Sequence, residues 1–146
     1  MKTIIGCLML LTTFHLSTAQ ACNCAEPPED PVEAVTKAYE QSSIVFLGRA
    51  IRVSRPQGKD EETGQMIEVG TFRVQRMWKG VYSEELTSRI DIKCCTCGVS
   101  FNEGREYLIF GYQRSDGSFS TSICSGPMLN DGSAISILDE LYPHGT

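Results

Sequence analysis

The fold is decided by residues 107–123, YLIFGYQRSDGSFSTSI, in which two apolar segments flank a turn sequence. Tyr107 to Tyr112 is a dense apolar run, and Phe119 to Ile123 alternates apolar with polar side chains, as strands do. Between them, Ser115-Asp116-Gly117-Ser118 has the composition of a tight hairpin turn. The stretch therefore predicts the last two strands of a β structure.

Three further strands are predicted upstream: Ile44 to Val53, Ile67 to Met77 and Leu86 to Ile92. The first contains Gly48, where we expect a bend or bulge. In the second, the alternation is expected to run through Ile67, Val69, Phe72 and Val74. In the third, Ile90 and Ile92 are expected to share one face of the strand.

A helix is predicted at each end of the strand region. Asp30 is a suitable N-cap and Pro31 suits the first turn of a helix. The apolar face of this helix is expected to contain Val32, Val35, Ala38 and Tyr39. Ser133 to Tyr142 predicts a closing helix, with Ile135, Leu138 and Leu141 on one side. Five short strands with two flanking helices predict a mainly β protein, a five-stranded OB-fold β-barrel.

The first 21 residues, Met1 to Ala21, have the pattern of a secretory signal peptide. Lys2 provides a basic start, a largely apolar run follows, and Ala19 and Ala21 are the small residues that a signal peptidase reads. The apolar run is too short for a membrane span, and we expect no span elsewhere. Residues 22–146 would then form a single extracellular domain that begins with Cys22.

Composition excludes several functional classes. The formal net charge is −5, and the charges are interspersed, so a nucleic-acid partner is not expected. After the predicted cleavage the sequence retains one histidine, His144, and it contains no nucleophile-base or phosphate-binding motif. We therefore expect no catalytic residues and no enzymatic activity.

Seven cysteines occur, and Cys7 lies in the predicted signal peptide. The remaining six are Cys22, Cys24, Cys94, Cys95, Cys97 and Cys124. An even number in a secreted chain favours disulfides, and six cysteines allow 15 pairings. The cluster Cys94-Cys95-Thr96-Cys97 has the spacing of a soft-metal site as well, but no histidine lies near it and the oxidising compartment favours disulfides.

The new chain start, Cys22-Asn23-Cys24, supports two interpretations. In the first, the cysteines only anchor the end of the chain. In the second, the free α-amine and the carbonyl oxygen of Cys22 close a five-membered ring on a metal ion that belongs to another protein.

Several segments in shared order resemble the N-terminal, netrin-like domain of the tissue inhibitors of metalloproteinases. They are Cys22-x-Cys24, Ala38-Tyr39, Ser42 to Arg49, Phe72 to Gly80, Cys97-Gly98, Glu106 to Gly111 and Thr121 to Ser125. The similarity covers nearly all of Cys22 to Leu141.

The resemblance implies a secreted inhibitor of zinc metalloendopeptidases that chelates the protease zinc through the Cys22 amine and carbonyl. It implies the disulfides Cys22–Cys97 and Cys24–Cys124 and leaves the state of Cys94 and Cys95 uncertain. The implied inhibitory ridge contains Cys22, Asn23, Cys24, Ala25, Thr96, Cys97 and Gly98. No cofactor of its own is implied, since zinc enters only with the partner. The expected partners are matrix metalloproteinase-like enzymes, with extracellular matrix as a further candidate.

Three departures from the family pattern keep alternatives open. We expect neither the family's third inhibitory-domain bridge, because Glu40 stands where one of its cysteines would be, nor its cysteine-rich C-terminal domain. Asn23 replaces the usual Thr or Ser. A non-inhibitory netrin-like module that binds matrix or signalling proteins is the main alternative. A lipid-anchored protein acylated at Cys22 is a third, against which Ala19 argues, because bacterial lipoprotein signals prefer Leu there.

Overall fold

A computed structural model describes residues 22–59, 61, 63–93, 97–126 and 132–143. The predicted signal peptide, residues 1–21, lies outside the described residues. So do Cys94, Cys95, Thr96 and His144. Predictions that concern these residues stay predictions.

The described chain forms a closed five-stranded barrel with two helices. The elements are α1 (Pro31–Gln41), β1 (Ile44–Ser54), β2 (Ile67–Lys79), β3 (Glu85–Asp91), β4 (Glu106–Gln113), β5 (Phe119–Ser120) and α2 (Ser133–Leu141). Around the barrel the strand order is β1-β2-β3-β5-β4, and β4 pairs with β1 to close it. The β3–β5 pair is parallel and the other pairs are antiparallel. The predicted OB-fold barrel is confirmed.

The bend expected in β1 is present at Gly48. The pairing register of β1 with β2 shifts between Leu47 and Gly48. A side-chain carbon at Gly48 would lie 2.8 Å from the ring of Phe46. Glycine therefore lets the strand curve closely around a core aromatic side chain.

The fifth strand is shorter than predicted. Regular pairing ends at Ser120, whereas the alternation predicted a strand to Ile123. Beyond it, the Thr121 hydroxyl donates to the carbonyl of Phe110 over 2.6 Å. Ser122 then leaves β4 and forms an isolated bridge with Gly98. The chain therefore changes partner between Thr121 and Ser122, which a period-two pattern does not reveal.

The inward face of β2 also differs from the prediction. Glu68, Gly70, Phe72 and Val74 are buried, whereas Ile67 and Val69 are only partly buried. Strict alternation counted back from Phe72 reaches Gly70 and Glu68. The apolar character of Ile67 and Val69 was therefore misleading, and a carboxylate is buried at this end of the barrel.

Two hydrophobic clusters hold the fold together. The first fills the barrel and contains perpendicular aromatic contacts, such as Phe72 with Phe101, whose ring centroids lie 4.8 Å apart. The second lies between the barrel and the helices, where Val35 and Leu138 pack with Leu108 and Phe110. The helices therefore cover the outer surface of β1 and β4.

The helix positions agree with prediction, but their buried faces are narrower. Asp30 caps α1 by accepting a hydrogen bond from the Glu33 backbone N–H. Val32 is 46% exposed and Leu141 is 43% exposed, although both were predicted on apolar faces. The buried pair is Val35 and Ala38 in α1, and Ala134 and Leu138 in α2. Val32 lies about one turn before the first pair and Leu141 about one turn after the second, and both face solvent.

Polar contacts fasten α2 to the barrel. The carboxylate of Asp139 forms an ion pair with Arg76 and accepts a hydrogen bond of 3.0 Å from the Trp78 indole. Just after α2, the ring of Tyr142 stacks on Tyr39 of α1, with centroids 3.6 Å apart. These contacts place α2 beside α1.

Candidate functional site: the disulfide-held N-terminal ridge

Two disulfides fix the segment at Cys22. Cys22 is bonded to Cys97 and Cys24 to Cys124, with Cα atoms 5.5 Å and 5.2 Å apart. Both pairings are those that the family resemblance implies. The segment has no regular secondary structure, so these covalent bonds supply the constraint that a ladder of hydrogen bonds would otherwise provide.

Side chains alternate between partial burial and exposure along residues 22–25. The two cysteines are partly buried, whereas Asn23 and Ala25 are exposed. We call residues 22–25 together with Cys97 and Gly98 the ridge. Of the predicted ridge residues, the structure brings these six together, and Thr96 lies outside the described residues.

The backbone at Cys97 has an uncommon conformation. Its φ is 56°, in the left-handed region that few residues other than glycine adopt. The Cys97 carbonyl accepts a hydrogen bond of 3.0 Å from the Ile123 N–H. The disulfide partner of Cys22 is therefore held by a second chain segment, and its geometry does not depend on the disulfide alone.

Gly98 allows this segment to lie directly on the end of β3. A side-chain carbon at this position would collide with the backbone carbonyl of Asp91. On its other side, Gly98 pairs with Ser122. Only glycine fits between these two backbones.

A shallow cavity of about 260 Å³ adjoins the ridge. It lies between residues 25–28, one side of α1 and residues 124–126. Lys37 and Gln41 of α1 line it. The ridge is thus bordered by a concave surface with polar side chains at its edge.

The residues that support the ridge are not evident from the sequence pattern. Ser122 and Ile123 hold Gly98 and Cys97, but they were predicted as part of a regular strand. Glu68 supports the same segment from inside the barrel by accepting the Phe101 N–H. For Glu68 a signal existed, because strict alternation from Phe72 places it inside.

Comparison with known proteins finds no matching family model and no matching curated protein. Within the described residues, no three His, Cys, Asp or Glu side chains are placed to hold a metal ion. In the same part of the chain, no helix is long and apolar enough to cross a membrane.

Proposed function

We propose that the protein is a secreted inhibitor of zinc metalloendopeptidases and not an enzyme. One observation carries this proposal: Cys22 and Cys24 are both in disulfides, while Asn23 between them is exposed. The chain start is thereby held rigidly at the surface. Two long-range disulfides also suit an oxidising, extracellular compartment.

The chemistry resides in the backbone of Cys22. If cleavage follows Ala21, Cys22 carries a free α-amine beside its own carbonyl oxygen, and these two atoms form a bidentate ligand. A catalytic zinc site keeps one position open for water or substrate, and this ligand would occupy it. The amine binds in its neutral form, and an ordinary α-amine has a pKa of about 8. Metal binding releases the proton at lower pH.

Rigidity favours inhibition over turnover. Since two disulfides order residues 22–24 before binding, little conformational entropy is lost when the ridge enters a protease cleft. The Cys22 amine would meet the metal with no residue before it, so no scissile peptide bond is presented. The protease would therefore be blocked without cleaving the ridge.

Asn23 is the residue that we expect to select the target. It is exposed beside Cys22, where its side chain would enter the specificity pocket next to the zinc. A buried amide must find hydrogen-bond partners or lose free energy. Proteases with a polar group in that pocket should therefore be inhibited more strongly than those with an apolar pocket.

The test uses the full chain, expressed with its own leader in a secretory host. N-terminal sequencing and intact mass would establish a free amine at Cys22. The secreted protein is titrated against the catalytic domains of several zinc metalloproteinases. We expect stoichiometric inhibition that a small hydroxamate zinc ligand competes away, and no inhibition of a serine protease.

Absence of inhibition by a folded protein with a free Cys22 amine, across all the metalloproteinases tested, would contradict the proposal. The non-inhibitory netrin-like binding module would then replace it. A lipid on Cys22 would also contradict it, because acylation removes the metal-binding amine, and the same intact-mass measurement detects it.

A further inference from the structure

Glu68, the buried carboxylate that accepts the Phe101 N–H, has further hydrogen-bond partners. Its side chain is 1% exposed and points into the end of the barrel. One oxygen, Oε1, accepts a hydrogen bond of 2.8 Å from the Phe101 backbone N–H. The other, Oε2, accepts from the Ser100 hydroxyl over 2.9 Å and from Arg55 Nε over 3.0 Å. Both oxygens are therefore used on partners outside β2.

Arg55 completes the arrangement from the other side. It follows directly after β1, and its side chain is 52% exposed. Its Nη2 donates to the Phe101 carbonyl over 2.6 Å. Glu68 thus holds the backbone N–H of Phe101, while Arg55 holds its carbonyl.

The residues held in this way lead directly to the ridge. Phe101 is fully buried, and four residues before it is Cys97, which is bonded to Cys22. Gly98 pairs with Ser122 at the ridge end of this segment. Residues 97–101 are therefore fixed at both ends, by the Gly98–Ser122 bridge at one and by Glu68 with Arg55 at the other.

The stability of the barrel alone does not explain why a carboxylate is buried in it. Burial of a charge costs free energy unless it is paired and hydrogen-bonded, and an apolar side chain of similar volume often stabilises as well. An apolar residue would, however, leave the Phe101 N–H without this acceptor. Compared with an apolar residue, the carboxylate adds hydrogen bonds that fix the position of residues 97–101.

We infer that Glu68 and Arg55 are positioning residues for the inhibitory ridge: together they hold the segment that carries Cys97 and so set where Cys22 is presented. The inference rests on the proposed inhibitory function. Neither residue touches the protease; both act through the backbone of Phe101.

The test compares Glu68→Gln and Arg55→Gln with the unaltered secreted protein. The matched control is Glu85→Gln, which removes a carboxylate that is 50% exposed and pairs with Arg73 over 3.4 Å at the start of β3. We expect Ki to rise at least about tenfold for Glu68→Gln and for Arg55→Gln, since small misplacements of positioned groups have effects of this size. Glu85→Gln should change Ki by less than about twofold.

A second readout does not depend on inhibition. Hydrogen exchange of the Ile123 amide, which donates to the Cys97 carbonyl, should accelerate in both test variants and remain unchanged in Glu85→Gln. If the unaltered protein does not inhibit, the proposed function fails, while this exchange still reports on the position of Cys97. If Glu68→Gln does not fold, Arg55→Gln carries the test, because its side chain is half exposed.

Two outcomes would overturn the inference. One is a folded Glu68→Gln or Arg55→Gln protein with unaltered Ki and unaltered Ile123 exchange. The other is full potency of Arg55→Lys, because a lysine keeps the charge but lacks the planar fork that reaches Glu68 and the Phe101 carbonyl together. Charge alone would then be sufficient.

Discussion

Removal of the Cys24–Cys124 disulfide, by the double substitution Cys24→Ser/Cys124→Ser, should destabilise the protein by a predictable amount. In the unfolded chain, Cys22–Cys97 still closes one loop. The shortest remaining path from Cys24 to Cys124 runs back to Cys22, across that bridge, and on from Cys97, about 29 residues in all. The chain-entropy relation then gives about 3.6 kcal/mol, less than the roughly 4.7 kcal/mol expected for an isolated loop of 100 residues.

Thermal unfolding monitored by circular dichroism measures this loss. For a domain of this size, each kcal/mol corresponds to about 4 °C in Tm, so we expect a decrease of about 14 °C. The barrel spectrum at low temperature should be retained, because neither Cys24 nor Cys124 belongs to either hydrophobic cluster. As a control, the double variant and the unaltered protein must contain the same number of free thiols. An equal number excludes a new disulfide that involves Cys94 or Cys95. A decrease below about 3 °C would refute the reasoning, since the disulfide would then not constrain the unfolded chain.

Three further predictions concern packing and titration. Leu138→Ala, which leaves a cavity at a fully buried site under α2, should lower the free energy of unfolding in urea by about 2–5 kcal/mol. Leu141→Ala, at an exposed site, should lower it by less than about 0.5 kcal/mol. Equal losses in the two variants would contradict the placement of α2. Gly98→Ala should cost about 1–3 kcal/mol and weaken inhibition, because its methyl group meets backbone; unchanged stability would exclude that contact. Burial, and then the nearby Tyr142, raise the pKa of Tyr39. The contribution of the neutral Tyr39 phenol to stability is therefore complete below about pH 10 and is lost as pH rises through the pKa of the folded state. Ultraviolet titration of the protein and of Tyr39→Phe measures this pKa, and ionisation of Tyr39 at or below the ordinary value for tyrosine would contradict the prediction.

Strand positions could be predicted well because apolar, β-branched runs are a local property. β1 and β4 begin and end within one residue of the predicted limits. The errors arose where tertiary contacts override local pattern. β5 ends at Ser120 because Thr121 and Ser122 bond to different parts of the molecule. In β2, apolar side chains at Ile67 and Val69 concealed the register that buries Glu68.

The candidate site was predictable only in part. The cysteines were visible in the sequence, but six cysteines allow 15 pairings, and the choice came from the family resemblance and then from the structure. The supports of the ridge lie far from Cys22 along the chain, at Arg55, Glu68 and residues 122–123, and form no local motif. Alternation from Phe72 places Glu68 inside the barrel, but only the folded structure shows that Glu68 and the other residues lie against the segment that carries Cys97.

We propose that the free amine of Cys22 binds the protease zinc. The most direct measurement compares the inhibition constant of the protein that begins at Cys22 with that of a protein that retains Ala21. In the second protein the nitrogen of Cys22 is part of a peptide bond, and one extra residue projects toward the metal, while the disulfides are unchanged. We predict stoichiometric inhibition by the first protein and an inhibition constant at least about a hundredfold higher for the second. Equal inhibition by the two proteins would contradict zinc chelation by the chain start.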